Sequence, residues 1–244
     1  MKVVILAAGL GSRLKDKTKD KGKALVELKN RSLIDYALAF TEHQDVKHRY
    51  VVGGFTYPLL KAHLDELNPI KTTVLENKDY KKGNLITLKT ALDYFDDDML
   101  IMNVDHVYNP WIFNVVKNNI AGITGIVDSD RKLGMDDMKV KLDGIARIKQ
   151  IDKKLTDFDK GYIGMTTVSK SYIPVYKKAI QAVTDTIGES ANVEAVLHYL
   201  AATDNPPKTL DVSSFLWLEI DTQEELGVAE KALQESPERF PYFK

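Results

Sequence analysis

The chain has 244 residues, of which 44% are hydrophobic and 28% charged, with a formal net charge of −1. This is apolar enough for a sizeable core, and the missing basic excess argues against a general nucleic-acid binder, though not against a local basic patch around a small phosphorylated ligand. There is no cysteine, which excludes disulfides, thiolate metal sites and cysteine nucleophiles; no apolar run nears the ~20 residues of a membrane span, and no signal-peptide pattern opens the chain. A soluble, cytoplasmic protein is expected.

No repeat, low-complexity stretch or linker divides the sequence, which predicts a single domain over 1–244. Lys2 to Ala7 is a short Val/Ile-rich run and reads as a buried strand. Ser32 to His43 has helical apolar spacing behind a capping Ser32. Arg49 to Gly53 is a strand, Tyr57 to Leu67 a helix, Lys71 to Glu76 a strand and Leu85 to Phe95 a helix. Met99 to Val104 is a buried strand ending at Asp105, and Pro110 to Asn118 opens a helix on its proline. The second half changes character. Ile120 to Val127, Met138 to Leu142, Ile145 to Ile151 and Gly161 to Val168 read as strands, the middle two joined by the hairpin signal Asp143-Gly144. Pro174 to Val183 and Asn192 to Ala201 read as helices, and Lys208 to Ile220 as one extended stretch. Thr222 to Gln234 closes as a helix with a capping-box pair, Thr222 and Glu225. The alternation predicts a Rossmann-like α/β fold: a mixed, mostly parallel central sheet with helices on both faces, plus a hairpin lid inserted in the second half.

The strongest local signal is Leu6-Ala7-Ala8-Gly9-Leu10-Gly11-Ser12-Arg13-Leu14, directly after the first strand. Glycines there let backbone N–H groups approach a phosphate. A dinucleotide fingerprint would need a third glycine where Leu14 stands. A P-loop would need Ser or Thr after Gly22-Lys23, where Ala24 stands. Arg13 can fork onto phosphate oxygens, and Lys23 supplies a compact charge. The competing reading of Gly9 and Gly11 is an ordinary strand-to-helix turn. The run from Lys15 to Lys23 holds five lysines and fits a solvated loop or a flexible electropositive lid.

These residues resemble the sugar-nucleotide-type nucleotidyltransferases, the pyrophosphorylase superfamily with a glycosyltransferase-A-like fold. Its signature is Leu-Ala-Ala-Gly-x-Gly-Ser/Thr-Arg-Leu/Met, later followed by Pro-Lys-x-Leu. Leu6 to Leu14 match throughout, whereas Gly22 replaces the proline before Lys23. A glycine there should leave the segment more mobile. The resemblance implies a nucleotide-binding loop made by Leu6, Ala7, Ala8, Gly9, Gly11 and Ser12, with Arg13 and Lys23 as catalytic cations.

Asp105 and Asp221 each end an apolar strand-like run. Strand-end carboxylates lie where open α/β sheets bind ligands, and two of them can hold one Mg²⁺ together with substrate phosphates. Each could instead be a helix cap or turn residue. The segment from Trp217 to Thr222, Trp-Leu-Glu-Ile-Asp-Thr, resembles that of the cytidylyltransferases for inositol phosphate and phosphocholine, and the resemblance implies that Asp105 and Asp221 are both metal ligands. His106 can lie near the phosphates or serve as a structural hydrogen-bonder, the plainer reading being preferred.

By the same resemblance, Asn77, Tyr80, Gly83 and Asn84 belong to the nucleotide site. Asn84 offers both a donor and an acceptor to a pyrimidine edge, although a helix cap is the alternative. Lys153 would meet the acceptor phosphate, and Asp159, Tyr162, Gly164 and Glu194 are candidates for the acceptor wall. Trp111, Tyr108 and Trp217 read as core. The expected chemistry is Mg²⁺-dependent transfer of a nucleotidyl group, CMP from CTP, to inositol phosphate, phosphocholine or a phosphonate such as aminoethylphosphonate, with pyrophosphate leaving. A hexose-1-phosphate nucleotidyltransferase using UTP, GTP or dTTP is the alternative within that chemistry. A non-catalytic nucleotide sensor is the alternative outside it. The expected partners are small molecules, not nucleic acid or membrane; a homo-oligomer is compatible with the sequence.

Overall fold

The computed structural model describes residues 1–144 and 146–242. In chain order its first strands are β1 (Lys2–Ala7), β2 (Glu27–Leu28), β3 (Arg31–Ser32), β4 (His48–Gly53), β5 (Thr72–Glu76), β6 (Met99–Asn103) and β7 (His106–Tyr108). There follow β8 (Ile123–Asp128), β9 (Lys139–Leu142), β10 (Ile148–Asp152), β11 (Lys160–Val168), β12 (Lys208–Asp211) and β13 (Trp217–Glu219). The helices are α1 (Leu33–Phe40), α2 (Tyr57–Leu67), α3 (Asn84–Lys89), α4 (Trp111–Lys117), α5 (Ile173–Thr186), α6 (Glu194–Ala201) and α7 (Gln223–Glu235). No helix is long and apolar enough to cross a membrane among the described residues.

Nine strands form one mixed sheet, ordered β10-β9-β11-β6-β1-β4-β5, with β8 and β12 joined beside β11. The half built from β5, β4, β1 and β6 is parallel, as the alternating helices require. From β6 outward β11 runs antiparallel, and it also pairs with β8 and β9. Alternation along β1 splits the core. Val4 and Leu6 join the cluster beneath α3, α5 and α6. Val3, Ile5 and Ala7 join the one beneath α1, α2 and α4. Both faces of the sheet are therefore buried, which is why its strands read as unbroken apolar runs.

A third apolar cluster lies apart from these two. It combines Leu14, Val26, Leu28, Leu33 and Tyr36 with Val107, Leu218, Ile220, Leu226 and Ala229. Burying such side chains stabilises by roughly 1.5–3 kcal/mol each. The cluster fastens the β2–β3 ribbon and α7 against a second ribbon, the antiparallel pair of β7 with β13.

Several expectations from the sequence need correction. The helix expected over 85–95 stops at Lys89 and gives way to a 3₁₀ turn at Leu92–Tyr94. The Thr90 hydroxyl donates to the Ile86 carbonyl at 3.1 Å, a side-chain bond that bends helices. The stretch over 208–220 is two strands, parted by a turn in which Ser213 N–H and hydroxyl both donate to Asp211 Oδ1. Trp111 is 65% exposed, because α4 turns Ile112, Phe113 and Val116 inward instead. The Asp143-Gly144 hairpin does join β9 to β10, but these lie on the sheet as its edge. Part of the strand expected from 145 is outside the described residues. The lysine run is an open stretch only beyond Thr18, although Lys15, Lys17 and Lys19 are all exposed. Residues Ser12–Thr18 form 3₁₀ turns, and the buried Thr18 hydroxyl donates to Gly11 O at 2.9 Å.

The α7 cap matches the sequence signal: Thr222 Oγ1 accepts from Glu225 N–H, while Glu225 Oε2 accepts from the N–H groups of both Asp221 and Thr222. Thr222→Ala should lower the unfolding free energy by about 1 kcal/mol. The denaturant midpoint should fall with an unchanged slope in a urea titration.

Candidate active site

A cavity of about 370 Å³ opens at the carboxyl ends of β1 and β6, where ligands enter sheets of this kind. Sequence-nominated residues on its lining include Leu6 near the end of β1, Ala8, Gly9, Gly11, Ser12 and Arg13, which follow β1, and Lys23 beyond them. Asn84 comes from α3, Asp105 from the end of β6 and Asp221 from beyond β13. Lys153, Tyr162, Gly164 and Glu194 line it from the second half of the chain.

The glycine loop follows from local sterics. Gly11 has φ +69°, a region that costs any residue with a Cβ, and a Cβ there would sit 2.8 Å from Thr18 Cγ2. Lys23 N–H closes the loop onto Gly9 O. Gly22, expected to loosen this segment, does the opposite. Its φ of −65° would suit proline, but its N–H donates to Thr56 Oγ1 at 2.7 Å, a bond proline cannot make.

Asp105 and Asp221 are brought together by the β7–β13 ribbon. Glu219 pairs with His106, and one step further Ile220 N–H donates to the Asp105 carbonyl at 2.9 Å. Both carboxylates then reach the same ammonium. Lys23 Nζ donates to Asp105 Oδ2 at 2.6 Å and also to Asp221 Oδ1. Arg13 donates to Asp221 Oδ2 and, at 3.3 Å, to Asp136 Oδ2. The Lys23 side chain is only 8% exposed, so this pairing is what makes its burial tolerable.

His106 lies behind Asp105. Its Nδ1 is 2.6 Å from Asp105 Oδ1, and its ring stacks with those of Tyr108 and Trp217. Gly164 makes room for it. The glycine sits at a register shift in β11 with φ +73°, where a Cβ would approach His106 Cε1 to 2.8 Å. Burial alone would push the Asp105 carboxyl up, but Lys23 and His106 outweigh it and hold the group well below the usual carboxylate range. Burial likewise pushes the His106 imidazole down, and the Asp105 carboxylate more than reverses this.

Four nominated nucleotide residues lie off the lining. Ala7 points into the core on the other face of β1. Asn77 is buried, donating to Thr87 Oγ1 and accepting from Asp79 N–H. Tyr80 leans on Phe55, and Gly83 packs against backbone of residues 189–191. Asp159 also lies elsewhere, accepting from Leu142 N–H at the sheet edge. The lining further includes residues that the sequence reading did not nominate: Asp136, Met138, Asn192 and Glu219. Glu219 carried a usable signal, since two positions before Asp221 in an extended run falls on the same face. The 129–138 segment carried none. Arg131 organises it, stacking 4.6 Å over Trp217 and pairing with Asp137 and Glu219.

The residues present suit a hard cation. Two carboxylates already converge on one positive point, the Lys23 ammonium, and this donor set is the kind Mg²⁺ takes alongside substrate phosphates. Among the described residues no group of three or more His, Cys, Asp or Glu could hold a metal unaided. Five carboxylates line the cavity (Asp105, Asp136, Glu194, Glu219 and Asp221) against the cations Arg13, Lys23 and Lys153. A polyphosphate entering so acidic a cavity needs an added cation to screen it.

The chain is 26% identical over 252 residues to the CTP:phosphoglutamine cytidylyltransferase of Campylobacter jejuni, covering 93% of this chain and 98% of that protein. It is 28% identical over 236 residues to the bifunctional IPC transferase and DIPP synthase of Aquifex aeolicus, covering 94% of this chain but only 51% of that longer protein. Its fold is similar to that of the inositol-1-phosphate CTP transferase from T. maritima, with a TM-score of 0.78, 20% identity and 96% of each chain covered. Residues 3–127, which carry the glycine loop, Lys23 and Asp105, match the MobA-like NTP transferase domain. The chain thus belongs to the MobA-like NTP transferase domain family, and it is a nucleotidyltransferase.

Proposed function

We propose that the protein is a Mg²⁺-dependent cytidylyltransferase that transfers CMP from CTP to a small phosphorylated or phosphonate acceptor. The observation that carries this reading is the meeting of Asp105 and Asp221 on Lys23 at the mouth of the glycine loop. An acceptor oxygen attacks the α-phosphorus in line, forming a new P–O bond. The bond from the α-phosphorus to the bridging oxygen breaks, and its electron pair departs with pyrophosphate. A phosphate or phosphonate oxygen is already anionic, so no general base is required. The protein's task is positioning and charge neutralisation.

Each residue has a physical task here. Backbone amides of Gly9, Gly11 and Ser12 lie along the loop that would cradle the triphosphate. Arg13 and Lys23 exchange their carboxylate partners for phosphate oxygens and stabilise charge developing on the leaving group. Asp105 and Asp221, freed of Lys23, would hold Mg²⁺. Bound there, Mg²⁺ supplies electrophilic neutralisation at the α-phosphate. His106 keeps the Asp105 carboxylate oriented. The preference for CTP is supported by the activity named for the Campylobacter jejuni relative. It is also supported by Asn84, whose Oδ1 accepts from Val193 N–H, which leaves its amide N–H donors for the acceptor atoms of cytosine.

Pyrophosphate release, assayed with CTP, UTP, GTP and dTTP crossed against phosphocholine, inositol phosphate, aminoethylphosphonate and hexose 1-phosphate, should show turnover with CTP and vanish when Mg²⁺ is chelated. Turnover only with hexose 1-phosphate and another nucleotide would move the protein to that branch, and no release with any pair would favour a sensor. Lys23→Ala and Asp105→Ala should each lower turnover on the order of 10²–10³ or more while keeping the circular-dichroism spectrum. Turnover near the wild-type level in either variant would contradict the site.

A further inference from the structure

Glu194 opens α6 and is 7% exposed on the cavity lining. A carboxylate this deeply buried ordinarily has a cation or several donors beside it. Here no ion pair within 4.0 Å includes Glu194 among the described residues, and its one hydrogen bond is with its own backbone N–H. Tyr162, its neighbour on the lining, makes its hydroxyl hydrogen bond with Thr166 Oγ1 at 2.9 Å and not with Glu194. Lys153 lines the same cavity and is exposed, likewise without an ion pair among the described residues. One side of the cavity therefore presents an unpartnered anion and an unpartnered cation together.

We infer that Glu194 selects acceptors that carry a primary ammonium group, so that the acceptor is a small zwitterion with a phosphate or phosphonate at one end and –NH₃⁺ at the other. The inference rests on the nucleotidyltransferase reading of the cavity and names its acceptor class. A primary ammonium offers three donors and a compact charge to the Glu194 carboxylate. A quaternary ammonium would need several aromatic faces, and among the described residues Tyr162 and His106 are the only aromatic rings on the lining. A neutral polyol would leave the carboxylate without a counter-charge. Burial pushes the Glu194 carboxyl up, with Lys153 and His106 opposing and Asp105 reinforcing it. A bound ammonium would reverse that shift.

The test uses matched acceptors with the full chain, Mg²⁺ and each of the four nucleotides. 2-Aminoethylphosphonate is compared with propylphosphonate, which replaces –NH₃⁺ by –CH₃, and phosphoethanolamine with phosphocholine and inositol phosphate. The ammonium compound of the first pair should have a kcat/KM on the order of 10–100-fold higher, and phosphoethanolamine should exceed both phosphocholine and inositol phosphate. Glu194→Gln should bring the first ratio towards one, and Glu194→Asp should restore part of it. Equal use of the matched pair by the wild type, a ratio that survives Glu194→Gln, or a preference for phosphocholine or inositol phosphate would overturn the inference while leaving nucleotidyl transfer standing. Absence of pyrophosphate release with every pair would instead overturn the enzymatic reading. Calorimetric titration with the same two phosphonates would then still read the subsite, supporting it if the preference exists and is lost in Glu194→Gln, and overturning it otherwise.

Discussion

The site depends on one backbone hydrogen bond, from Ile220 N–H to the Asp105 carbonyl. It extends the β7–β13 ribbon past its last paired residues and sets Asp221 beside Asp105. Without it the two carboxylates would hang from unrelated loops. The ribbon is short, three residues on each strand, and a two-stranded pair of that size is not stable alone. Its stability comes from the apolar cluster beneath it, where Val107, Leu218 and Ile220 meet Leu14, Leu28 and Leu226. Leu14 also ends the glycine loop, so the same cluster ties that loop to the acid pair.

The electrostatics follow from that placement. Two acids so close would repel if nothing stood between them, and the Lys23 ammonium answers both. Arg13 repeats the arrangement one step outward with Asp221 and Asp136. Every permanent charge in this part of the cavity is thus paired in the absence of ligand, which limits the cost of holding it in a partly dry space. A cation and a triphosphate arriving together can replace these pairs like for like, carboxylates passing to the metal and cationic side chains to phosphate. Glu194 departs from the pattern: no described cation pairs with it within 4.0 Å, and Lys153 acts on it only at longer range.

Much of the first half was legible because most of its strands are buried on both faces and its helices carry apolar residues at helical spacing. Lys2–Ala7 and Tyr57–Leu67 have the bounds read from apolar spacing alone, and Ser32 and Thr222 cap as their residue types suggest. The glycine loop was legible because few backbones other than a tight turn need Gly-x-Gly followed by Ser-Arg. The β7–β13 ribbon was not, since three-residue strands leave no periodicity to read. Residues whose role depends on tertiary neighbours were also hidden. Gly22 reads as a source of freedom until Thr56 is seen to accept from it. Trp111 reads as core until α4 turns it outward. Asp136 and Asn192 carry no pattern that separates them from ordinary surface polar residues.

Under the proposed function, Asp105 and Asp221 hold one cation between them. Binding of Mn²⁺, followed by electron paramagnetic resonance in the presence of CTP, addresses it through Asp105→Asn, Asp221→Asn and the double variant. If the two carboxylates share the ion, each single change should weaken Mn²⁺ binding nearly as much as both together. Losses that simply add, or a single variant that binds Mn²⁺ as the wild type does, would contradict the account.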